Sequence, residues 1–350
     1  MDAIQLKKIS DININDVFFD SLRESYPGFD NWLNSKVDKG EYAFVFEDNG
    51  IQGFLYLKEE DEEDLSIIPP FEKRRRLKIG TFKINPHGTN LGERFMKIII
   101  DAMVKKGYDE GYVTVFDKHP HLIKLFQKYG FEYHGIKRGN GEEKVFIKKI
   151  KKELCVGNVY LDYPIINLKG NSKHLLAIKP EYHTKMFPDS KLRTEKGHTV
   201  KDIPVTNNIE KIYLSAANLS SYKVGDIVVI YRMKDEGKPA YFSSVVTSLC
   251  TVIDIKSIYS FSSFEEFYDY CRKSSVFSDA ELKQFWDKKR YPTLVKMLYN
   301  KALDRRIIRK ELIEQLGLDG NLRWTTIDFN ELQFRKILEL GDVSEDIIIY

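Results

Sequence analysis

The sequence predicts an α+β chain of two domains, and three observations support this. Residues 77–84 read as a strand that runs through a Pro-His-Gly turn directly into an amphipathic helical pattern over 91–103. The second half is richer in strand-like runs, and its apolar run over 240–258 is long enough for a bent barrel strand. A length of 350 residues is typical of two domains. We place them at 1–152 and 153–350.

The overall composition is that of an ordinary globular protein. Hydrophobic residues make up 42% and charged residues 31%, so the chain can form a sizeable core. The net charge of +3 is too small to indicate a nucleic-acid partner by itself. The first residues lack an apolar signal region and no run approaches a membrane span, so we expect no membrane association. The three cysteines lack metal or redox spacing, which favours a cytoplasmic location.

The turn between strand 77–84 and the following helix is a candidate phosphate site. Unpaired backbone N–H groups and the positive end of the helix dipole meet there. A P-loop would need Gly-Lys-Ser/Thr, but residues 92–94 are Gly-Glu-Arg. A Rossmann fingerprint would need three glycines, and only Gly88 and Gly92 are present. The spacing fits a pyrophosphate loop of the form R/Q-x-x-G-x-G/A, with His87 and Asn90 as departures.

The order of elements after this turn gives the loop a context. Residues 112–116 read as a strand and 121–129 as a helix that closes on Gly130-Phe131, with two further strand-like runs behind it. The sequence LIKLFQKYGF at 122–131 resembles the second signature of the GNAT acetyltransferase superfamily. The resemblance covers roughly residues 1–150. It implies a mixed, mostly antiparallel sheet flanked by helices.

The GNAT resemblance implies acetyl-CoA as the co-substrate. In that superfamily the pantetheine arm lies between two splayed strands, here 77–84 and 112–116, and the pyrophosphate lies on the amides of the turn. His87 loses the bidentate fork of arginine, whereas Asn90 tolerates a positive φ better than most residues. The implied cofactor-binding residues are Phe82, Lys83, Ile84, His87, Gly88, Thr89, Asn90, Leu91, Gly92, Glu93 and Phe126.

The catalytic residues depart further from the superfamily's pattern than the residues of the loop do. Phe126 occupies the position where the superfamily commonly has a tyrosine that protonates the departing thiolate, so Tyr129 and Tyr133 become the candidates. Their alternative role is simple packing.

A general base is also missing from strand 77–84. The carboxylates Glu47 and Asp48 and the imidazole of His134 are candidates that could equally be solvated surface groups. Since an α-amine has a pKa near 8, against about 10.4 for lysine, the missing base favours an α-amine acceptor.

Two charged runs lie before the cofactor strand, acidic over 59–64 and basic over 73–76. The acidic run has the composition of a solvated loop. The basic run could meet the 3′-phosphate of the cofactor or a nucleic-acid acceptor.

The second half resembles the PUA-like barrel group, which includes the ASCH and EVE domains. The matching residues are Gly225–Val228, Tyr231-Arg232 and the strand at 243–252. The resemblance implies a PUA-like β-barrel with added helices that binds RNA or a nucleobase by stacking and hydrogen bonds. The candidate residues are Tyr231, Arg232, Tyr241, Ser243 and Thr247. Their alternative role is that of ordinary barrel side chains.

Together these patterns predict an acetyl-CoA-dependent N-acetyltransferase whose second domain brings an RNA-linked acceptor. One alternative is a non-catalytic, acetyl-CoA-sensing protein that binds RNA or DNA. Another is a protein N-acetyltransferase. A homodimer is a further expectation, because GNAT domains often pair through their last strands.

Overall fold

The computed structural model describes residues 4–86, 88–139, 141–190, 192, 203–216, 219, 221–322 and 324–350. The chain divides into two compact units, Met1–Asp162 and Tyr163–Tyr350. The boundary predicted at 152/153 falls shortly before this division.

The first unit is an eight-stranded sheet with helices on both faces, as traced through its described residues. Its elements are β1 (Gln5–Lys8), α1 (Asp20–Ser25), α2 (Phe29–Asp38), β2 (Tyr42–Glu47), β3 (Ile51–Glu60), β4 (Ile67–Ile68), β5 (Arg76–Ile84), α3 (Leu91–Lys106), β6 (Glu110–Val115), α4 (Pro120–Lys128), β7 (Glu132–Gly139) and β8 (Gly141–Lys149).

The strand order is β1-β2-β3-β5-β6-β8-β7-β4. Neighbouring strands are antiparallel except β5 and β6, which run parallel. This is the mixed, mostly antiparallel sheet that the GNAT resemblance implies. The β5–β6 connection runs through α3, as a parallel pair requires.

The two faces of the sheet carry different helices. Trp32 of α2 packs edge-on against Tyr56 of β3, with ring centroids 5.4 Å apart. Phe82 of β5 contacts Phe95 of α3 and Phe126 of α4 at 5.6 and 6.0 Å. Tyr56 is paired with Thr81, so these two side chains lie on the same face of the sheet. Phe82 follows Thr81, so the rings of Tyr56 and Phe82 lie on opposite faces. Helix α2 therefore covers one face, and α3 and α4 cover the other.

A hairpin at Asp48-Asn49-Gly50 joins β2 and β3. Asn49 and Gly50 have φ values of 53° and 109°, the left-handed conformations that this sequence type favours. Helix α1 begins at Asp20, after a 3₁₀ turn over 17–19. Asp16 caps the preceding 3₁₀ turn, accepting from the N–H of Phe18 at 2.8 Å, and holds the N–H of Ile51 at 3.2 Å.

The basic run at 73–76 is neutralised by carboxylates. Lys73 pairs with Glu62 at 3.6 Å and Arg75 with Glu59 at 3.7 Å, so the acidic run supplies two of the partners. The run precedes β5, whereas the turn at 88–92 follows it, about 26 Å away along a nine-residue strand. The cations of this run therefore lie at the opposite end of β5 from the turn.

The other two cations of the run meet one buried carboxylate. Glu110, at the start of β6, is 2% exposed and accepts from Arg76 at 2.9 Å and from Arg74. Arg76 is itself 6% exposed, so its charge depends on Glu110 for compensation. The three side chains connect the beginnings of β5 and β6 at the end of the sheet where these strands are still paired.

The second unit is built on a six-stranded sheet in its described residues. Its elements are β9 (Ile166–Asn167), β10 (Lys173–Ile178), α5 (Pro180–Met186), α6 (Pro204–Asn207), β11 (Glu210–Ser215), β12 (Ile227–Arg232), α7 (Ala240–Ser243), β13 (Val245–Ser257), α8 (Phe264–Cys271), α9 (Asp279–Lys288), β14 (Thr293–Ile308), α10 (Arg309–Leu316), β15 (Thr326–Asp328), α11 (Glu331–Leu340) and β16 (Ile348–Ile349).

The main sheet has the order β11-β14-β13-β12-β10-β15, and β9 pairs separately with β16. The two longest strands, β13 and β14, have three register shifts between them, and such bulges bend a sheet. No pairing joins β11 to β15 within the part of the chain that the structure describes. With helices around both sheets, the α+β fold class is confirmed.

One predicted strand is partly helical. The run expected over 240–258 opens with helix α7, and the strand proper begins at Val245. Pro239 precedes the helix and accepts from the hydroxyl of Ser243 at 2.8 Å. Tyr241 and Ser243 therefore lie on a short helix and not on a barrel strand. In the described residues of both units, no helix is long and apolar enough to cross a membrane.

Candidate functional site

The clearest candidate site is a wedge-shaped gap between β5 and β6. The two strands pair over only three positions, the last of which is Ile79 opposite Val113. Beyond Ile79, β5 continues along β3, and beyond Val113, β6 continues along β8. The backbone of β5 over 80–84 therefore turns one edge toward a gap in which β6 supplies no partner. An extended ligand with amide groups can pair with such an edge.

A bulge at Gly80 lies where the gap opens. Tyr56 pairs with Thr81 and Leu57 with Ile79, so Gly80 is the extra residue of β5. A Cβ atom at Gly80 would lie 2.9 Å from Cδ1 of the buried Tyr56 ring, so a side chain there would displace that ring. Bulges bend the strand that contains them, and this one turns β5 where it leaves β6.

The turn that follows β5 presents backbone amides to the open end of the gap. Gly88 has a φ of 82°, and a Cβ added to it would meet nothing within 4 Å. Asn90 has a φ of 56°, the left-handed value expected for it, and caps α3 without a side-chain bond. The N–H groups at a helix start carry the positive end of the helix dipole, and α3 is 16 residues long. His87 lies outside the described residues.

The helix start is fixed by contacts with α4. Glu93 forms an ion pair with Lys128 at 2.7 Å, so its carboxylate is engaged by α4. Its backbone N–H bonds to the carbonyl oxygen of Asn90 at 2.9 Å. A Cβ atom at Gly92 would lie 3.0 Å from Cδ2 of Leu125. A long side chain at this position would therefore be directed between α3 and α4.

The predicted strand residues face different sides of β5. The ring of Phe82 is half-buried and packs beside the fully buried Phe126, while its backbone belongs to the open edge of β5. Lys83 points to the opposite face, where its ammonium bonds to Ser21 Oγ at 2.7 Å and to the carbonyl oxygen of Phe18. Burial lowers the pKa of Lys83.

The two candidate tyrosines differ in position. Tyr129 follows α4 directly and is fully buried. Tyr133 is 56% exposed, on β7, where it is opposite Phe146, which in turn is opposite Val113. Tyr133 is therefore level with the point where the gap opens, but two strand spacings, about 10 Å, from β6.

The three groups considered as a base do not adjoin the gap. Glu47 pairs with Lys7, and Asp48 belongs to the hairpin between β2 and β3. His134 contacts the carbonyl oxygen of Pro69 at 3.0 Å through Nε2. Other polar and aromatic groups, which the sequence analysis missed, meet near the end of β6.

The missed groups are Tyr26, Phe116 and Glu143, which meet on the face opposite α3. The Tyr26 hydroxyl donates to Glu143 Oε1 at 2.9 Å, and its ring centroid is 5.2 Å from that of Phe116. Burial, together with the charge of Glu143, raises the pKa of Tyr26. No sequence spacing could have joined Tyr26 to a residue 117 positions away. The only feature of the sequence near Glu143 was the pair of glutamates, Glu142 and Glu143, at the start of β8.

The second unit separates its five candidate residues. Thr247 is buried, and its hydroxyl oxygen forms a hydrogen bond of 2.8 Å with Nε2 of His183. Arg232 is also buried, and its charge acts on the same imidazole. Tyr231 is 2% exposed and packs 5.5 Å from Trp324.

The remaining two lie on α7, where the Tyr241 hydroxyl donates to Glu314 at 2.7 Å and Ser243 bonds to the backbone. The five therefore form no single stacking surface.

A chain of buried polar groups surrounds Thr247. Ser190 Oγ lies 2.6 Å from Ser248 Oγ and 3.0 Å from the Tyr299 hydroxyl. Burial, together with the charges of Arg232 and Arg306, lowers the pKa of His183 to about 3, so its imidazole is neutral. His183 Nδ1 has no hydrogen-bond partner among the described residues.

Comparisons with known proteins find one curated protein and several solved structures to which the chain is similar. The chain is 31% identical over 90 residues to a curated protein of Bacillus subtilis subsp. natto named "Probable spermine N(1)-acetyltransferase". Among solved structures, a mutant form of ZmASCH from Zymomonas mobilis aligns with a TM-score of 0.32 and 10% identity, over 48% of this chain and 95% of that one. The IAA acetyltransferase from Bacillus cereus ATCC 14579 aligns with a TM-score of 0.30 and 14% identity, over 42% of this chain and 99% of that one.

The relatives come from both groups that the sequence resembles. The alignment with the curated acetyltransferase covers 24% of this chain and 59% of that protein, so the chain spans about three fifths of its relative. No protein-family model matches the chain.

Proposed function

We propose that the first unit binds acetyl-CoA in the gap between β5 and β6 and transfers the acetyl group to an amine. The observation that carries this proposal is the continuity of three features. The strands part after Ile79, the bulge at Gly80 marks that point, and β5 then leads into amides at the start of α3. A thioester with an amide-bearing arm and a diphosphate matches such a series in order.

The side chains of the described residues are compatible with this ligand. Gly88 leaves open space beside the turn, and the carboxylate of Glu93 is held by Lys128, which shields the diphosphate from its charge. The backbone of Phe82, Lys83 and Ile84 would pair with the pantetheine amides. The bound thioester would supply an activated acetyl carbonyl at the bulge.

The proposal is tested by following free CoA release from acetyl-CoA by the full chain. The acceptor panel should contain spermine, a dipeptide with a free α-amine and an aminoacyl-nucleoside such as puromycin. Release with an acceptor, together with the acetylated product in a mass spectrum, would support acetyl transfer. A chain that binds acetyl-CoA and acetylates no member would favour the sensing alternative.

That alternative has one observation in its favour. Phe126 is fully buried at the position where a proton donor is commonly found in GNAT enzymes, so this side chain can only pack. A protein of this kind would hold acetyl-CoA as a signal and leave recognition to its second unit.

The proton donor to the departing thiolate is assigned by two substitutions. Tyr133→Phe is expected to lower kcat by about tenfold or more if Tyr133 is the donor, because proton transfer contributes about a hundredfold or more in typical enzymes. Tyr129→Phe serves as the paired test, since both changes remove one hydroxyl from a retained ring. Steady-state kinetics with the best acceptor of the panel measure both. Full turnover in both variants would exclude a tyrosine acid.

We also propose that the second unit brings an acceptor containing RNA or a nucleobase. Its support is the buried set of hydrogen-bonding groups around Thr247, where His183 offers a neutral imidazole nitrogen without a partner among the described residues. This is the chemistry with which a base edge is held.

The RNA proposal is tested with two single substitutions. Thr247→Val keeps the shape of the side chain and removes the hydroxyl that contacts His183. We expect it to weaken retention of total tRNA on a filter by about fivefold or more, since an unpaired buried group costs about 1–3 kcal/mol. Tyr241→Ala, on the exposed face of α7, removes a possible stacking ring. Unchanged retention in both variants would contradict the proposed site, and acetyl-CoA affinity should change in neither.

A further inference from the structure

The pairing of β13 with its two neighbours is interrupted at Thr247. On one side, the register of β12 passes directly from Val246 to Ser248, so Thr247 has no residue opposite it among the described pairs. On the other side, the register of β14 jumps between the same two positions, so that residues 303–306, the β14 excursion, lie opposite Thr247 alone. Extra residues of this kind bend a strand and redirect the side chains that they carry.

The β14 excursion is held in place by the end of helix α11. The backbone N–H groups of Asp304 and Arg305 both donate to the carbonyl oxygen of Gly341, at 3.0 and 3.2 Å. Gly341 is the residue that caps α11 at its C-terminus. The excursion is therefore a fixed part of the second unit, and the position of the side chain that follows it is fixed as well.

Arg306, the last residue of the β14 excursion, is a half-buried cation that forms no ion pair with any described residue. Two of its nitrogens donate to the carbonyl oxygens of Leu303 and Asp189, the second at 3.0 Å. Its Nε is buried and has no hydrogen-bond partner there. The neighbouring Asp304 pairs with Lys301 at 2.9 Å. Because a half-buried guanidinium that contacts only neutral oxygens is not compensated, it favours binding of an anion.

A series of buried polar groups leads from the Arg306 contact into the interior. Ser190, next to the carbonyl group that Arg306 contacts, donates through Oγ to the carbonyl oxygen of Thr247 at 3.2 Å and lies 2.6 Å from Ser248 Oγ. The Thr247 hydroxyl continues the series to His183 Nε2. The four inner side chains are fully buried. The interruption at Thr247 is therefore filled by hydroxyl groups between a cation and an imidazole.

The nitrogen of His183 without a partner is a hydrogen-bond acceptor. A neutral imidazole carries one proton on its two nitrogens. The Thr247 hydroxyl donates to the carbonyl oxygen of Ile230 at 3.4 Å, so it accepts from the Nε2–H of His183. Nδ1, which is buried and without a partner among the described residues, then presents its lone pair. A sugar hydroxyl or a base amino group can donate to it, whereas an anion cannot.

We propose that the interruption at Thr247 binds a phosphorylated nucleoside, with Arg306 holding the phosphate and His183 accepting from the nucleoside. This assignment rests on the RNA or nucleobase binding proposed above and names the phosphate as the group that this site requires. Guanidinium groups hold phosphate oxygens through two N–H groups at once. Arg232, the other cation that acts on His183, pairs with Asp235 at 2.6 Å and is therefore not assigned to the phosphate.

The test is a calorimetric titration of the CoA-saturated full chain with the four common ribonucleosides and their 5′-monophosphates. CoA occupies the site proposed in the first unit, so that further binding reports on the second. We expect at least one monophosphate to bind about tenfold or more tightly than its nucleoside, because only the monophosphate forms the charge-assisted contact. Arg306→Gln should reduce this ratio to about threefold or less and leave the affinity for the nucleoside unchanged.

A second ligand distinguishes a free nucleotide from an RNA chain as the source of the phosphate. This ligand is a single-stranded RNA of mixed sequence, about six nucleotides long, which fits the length that such sites cover. Binding of a monophosphate shows that a free nucleotide suffices. Binding of the RNA without binding of any monophosphate identifies a phosphodiester within a chain. In either case Arg306→Gln should weaken the binding by about tenfold or more.

Two further variants keep the test decisive. Arg305→Gln is the matched control, because this neighbour in the β14 excursion is 53% exposed and pairs with Glu311. It should bind every ligand as the wild type does. Arg306→Lys keeps the charge with a different set of donors and should retain part of the affinity for the phosphate. The proposal is overturned if no ligand binds the wild type, if Arg306→Gln binds as the wild type does, or if Arg305→Gln loses as much affinity.

Retention of total tRNA on a filter distinguishes this failure from that of the proposed function. If the wild type retains tRNA and Thr247→Val does not, while Arg306→Gln retains it fully, only the phosphate site is removed. If the wild type retains no tRNA, the RNA binding on which the phosphate site depends is removed as well.

Discussion

Replacing Gly92 with aspartate is expected to weaken acetyl-CoA binding by about a hundredfold or more. The substitution puts a negative charge in the first turn of α3, on the side that faces α4 and next to the amides proposed to hold the diphosphate. Two effects reduce the binding free energy: repulsion between the like charges and the loss of charge-assisted hydrogen bonds. Each commonly costs about 1–3 kcal/mol. Calorimetry with acetyl-CoA measures the change directly.

Gly92→Ala is the matched control for this prediction. Both substitutions add the same Cβ atom, 3.0 Å from Leu125, so both disturb the packing of α3 on α4 in the same way. Only aspartate adds charge. We expect alanine to change the affinity by less than about fivefold, since one tight contact with a flexible side chain costs little. Equal losses in the two variants would mean that packing, and not a diphosphate, determines the effect.

Replacing Glu110 with glutamine is expected to destabilise the first unit by about 3 kcal/mol, because removing one partner of a buried ion pair strands the other charge. Arg76, 6% exposed, would lose the carboxylate it contacts at 2.9 Å. Urea denaturation followed by far-UV circular dichroism would show the loss as a lower midpoint for the transition of this unit.

Glu62→Gln is the control for this second prediction. Glu62 pairs with Lys73 at 3.6 Å, but both side chains are about three quarters exposed. Surface pairs of this kind contribute about 0–1 kcal/mol, so the midpoint should hardly move. A Glu110 variant as stable as this control would contradict the structural role given to the buried pair.

The sequence was informative wherever structure depends on neighbours in the chain. The strand that ends at Ile84, the left-handed turn at Asn90 and the helix from Leu91 all follow from local patterns, and so does the hairpin at Asn49-Gly50. These features depend on periodicity and on a few residues that tolerate positive φ. They were enough to predict the strand, turn and helix at which the cofactor site is proposed.

Features that depend on distant residues were not predictable. Tyr26 and Glu143 are joined across 117 positions, and the bulge at Gly80 inverts the facing of the residues beyond it. A pattern of period two cannot reveal a bulge, which adds one residue to one strand. The basic run at 73–76 looked like a ligand site because its carboxylate partners lie elsewhere in the chain.

In the second unit, the strand prediction over 240–244 is wrong for a local reason of a different kind. Tyr241 was assigned to a strand because the apolar run extends without interruption through it, whereas Pro239 precedes a short helix there. Tyr231 and Arg232 were grouped although neighbours on a strand face opposite sides. The candidates also differ in burial, because Tyr231, Arg232 and Thr247 are buried and the two residues of α7 are not. Composition alone could not reveal this.

The measurement that tests the central proposal most directly is a calorimetric titration of the full chain with acetyl-CoA. The account predicts binding of one molecule per chain with a dissociation constant on the order of micromolar, an affinity of about 8 kcal/mol. Free CoA should bind in the same range, because the diphosphate and the pantetheine arm are common to both ligands. Absence of binding by either ligand at about a thousand times that concentration would contradict the account, since the gap and the turn would then hold no such ligand.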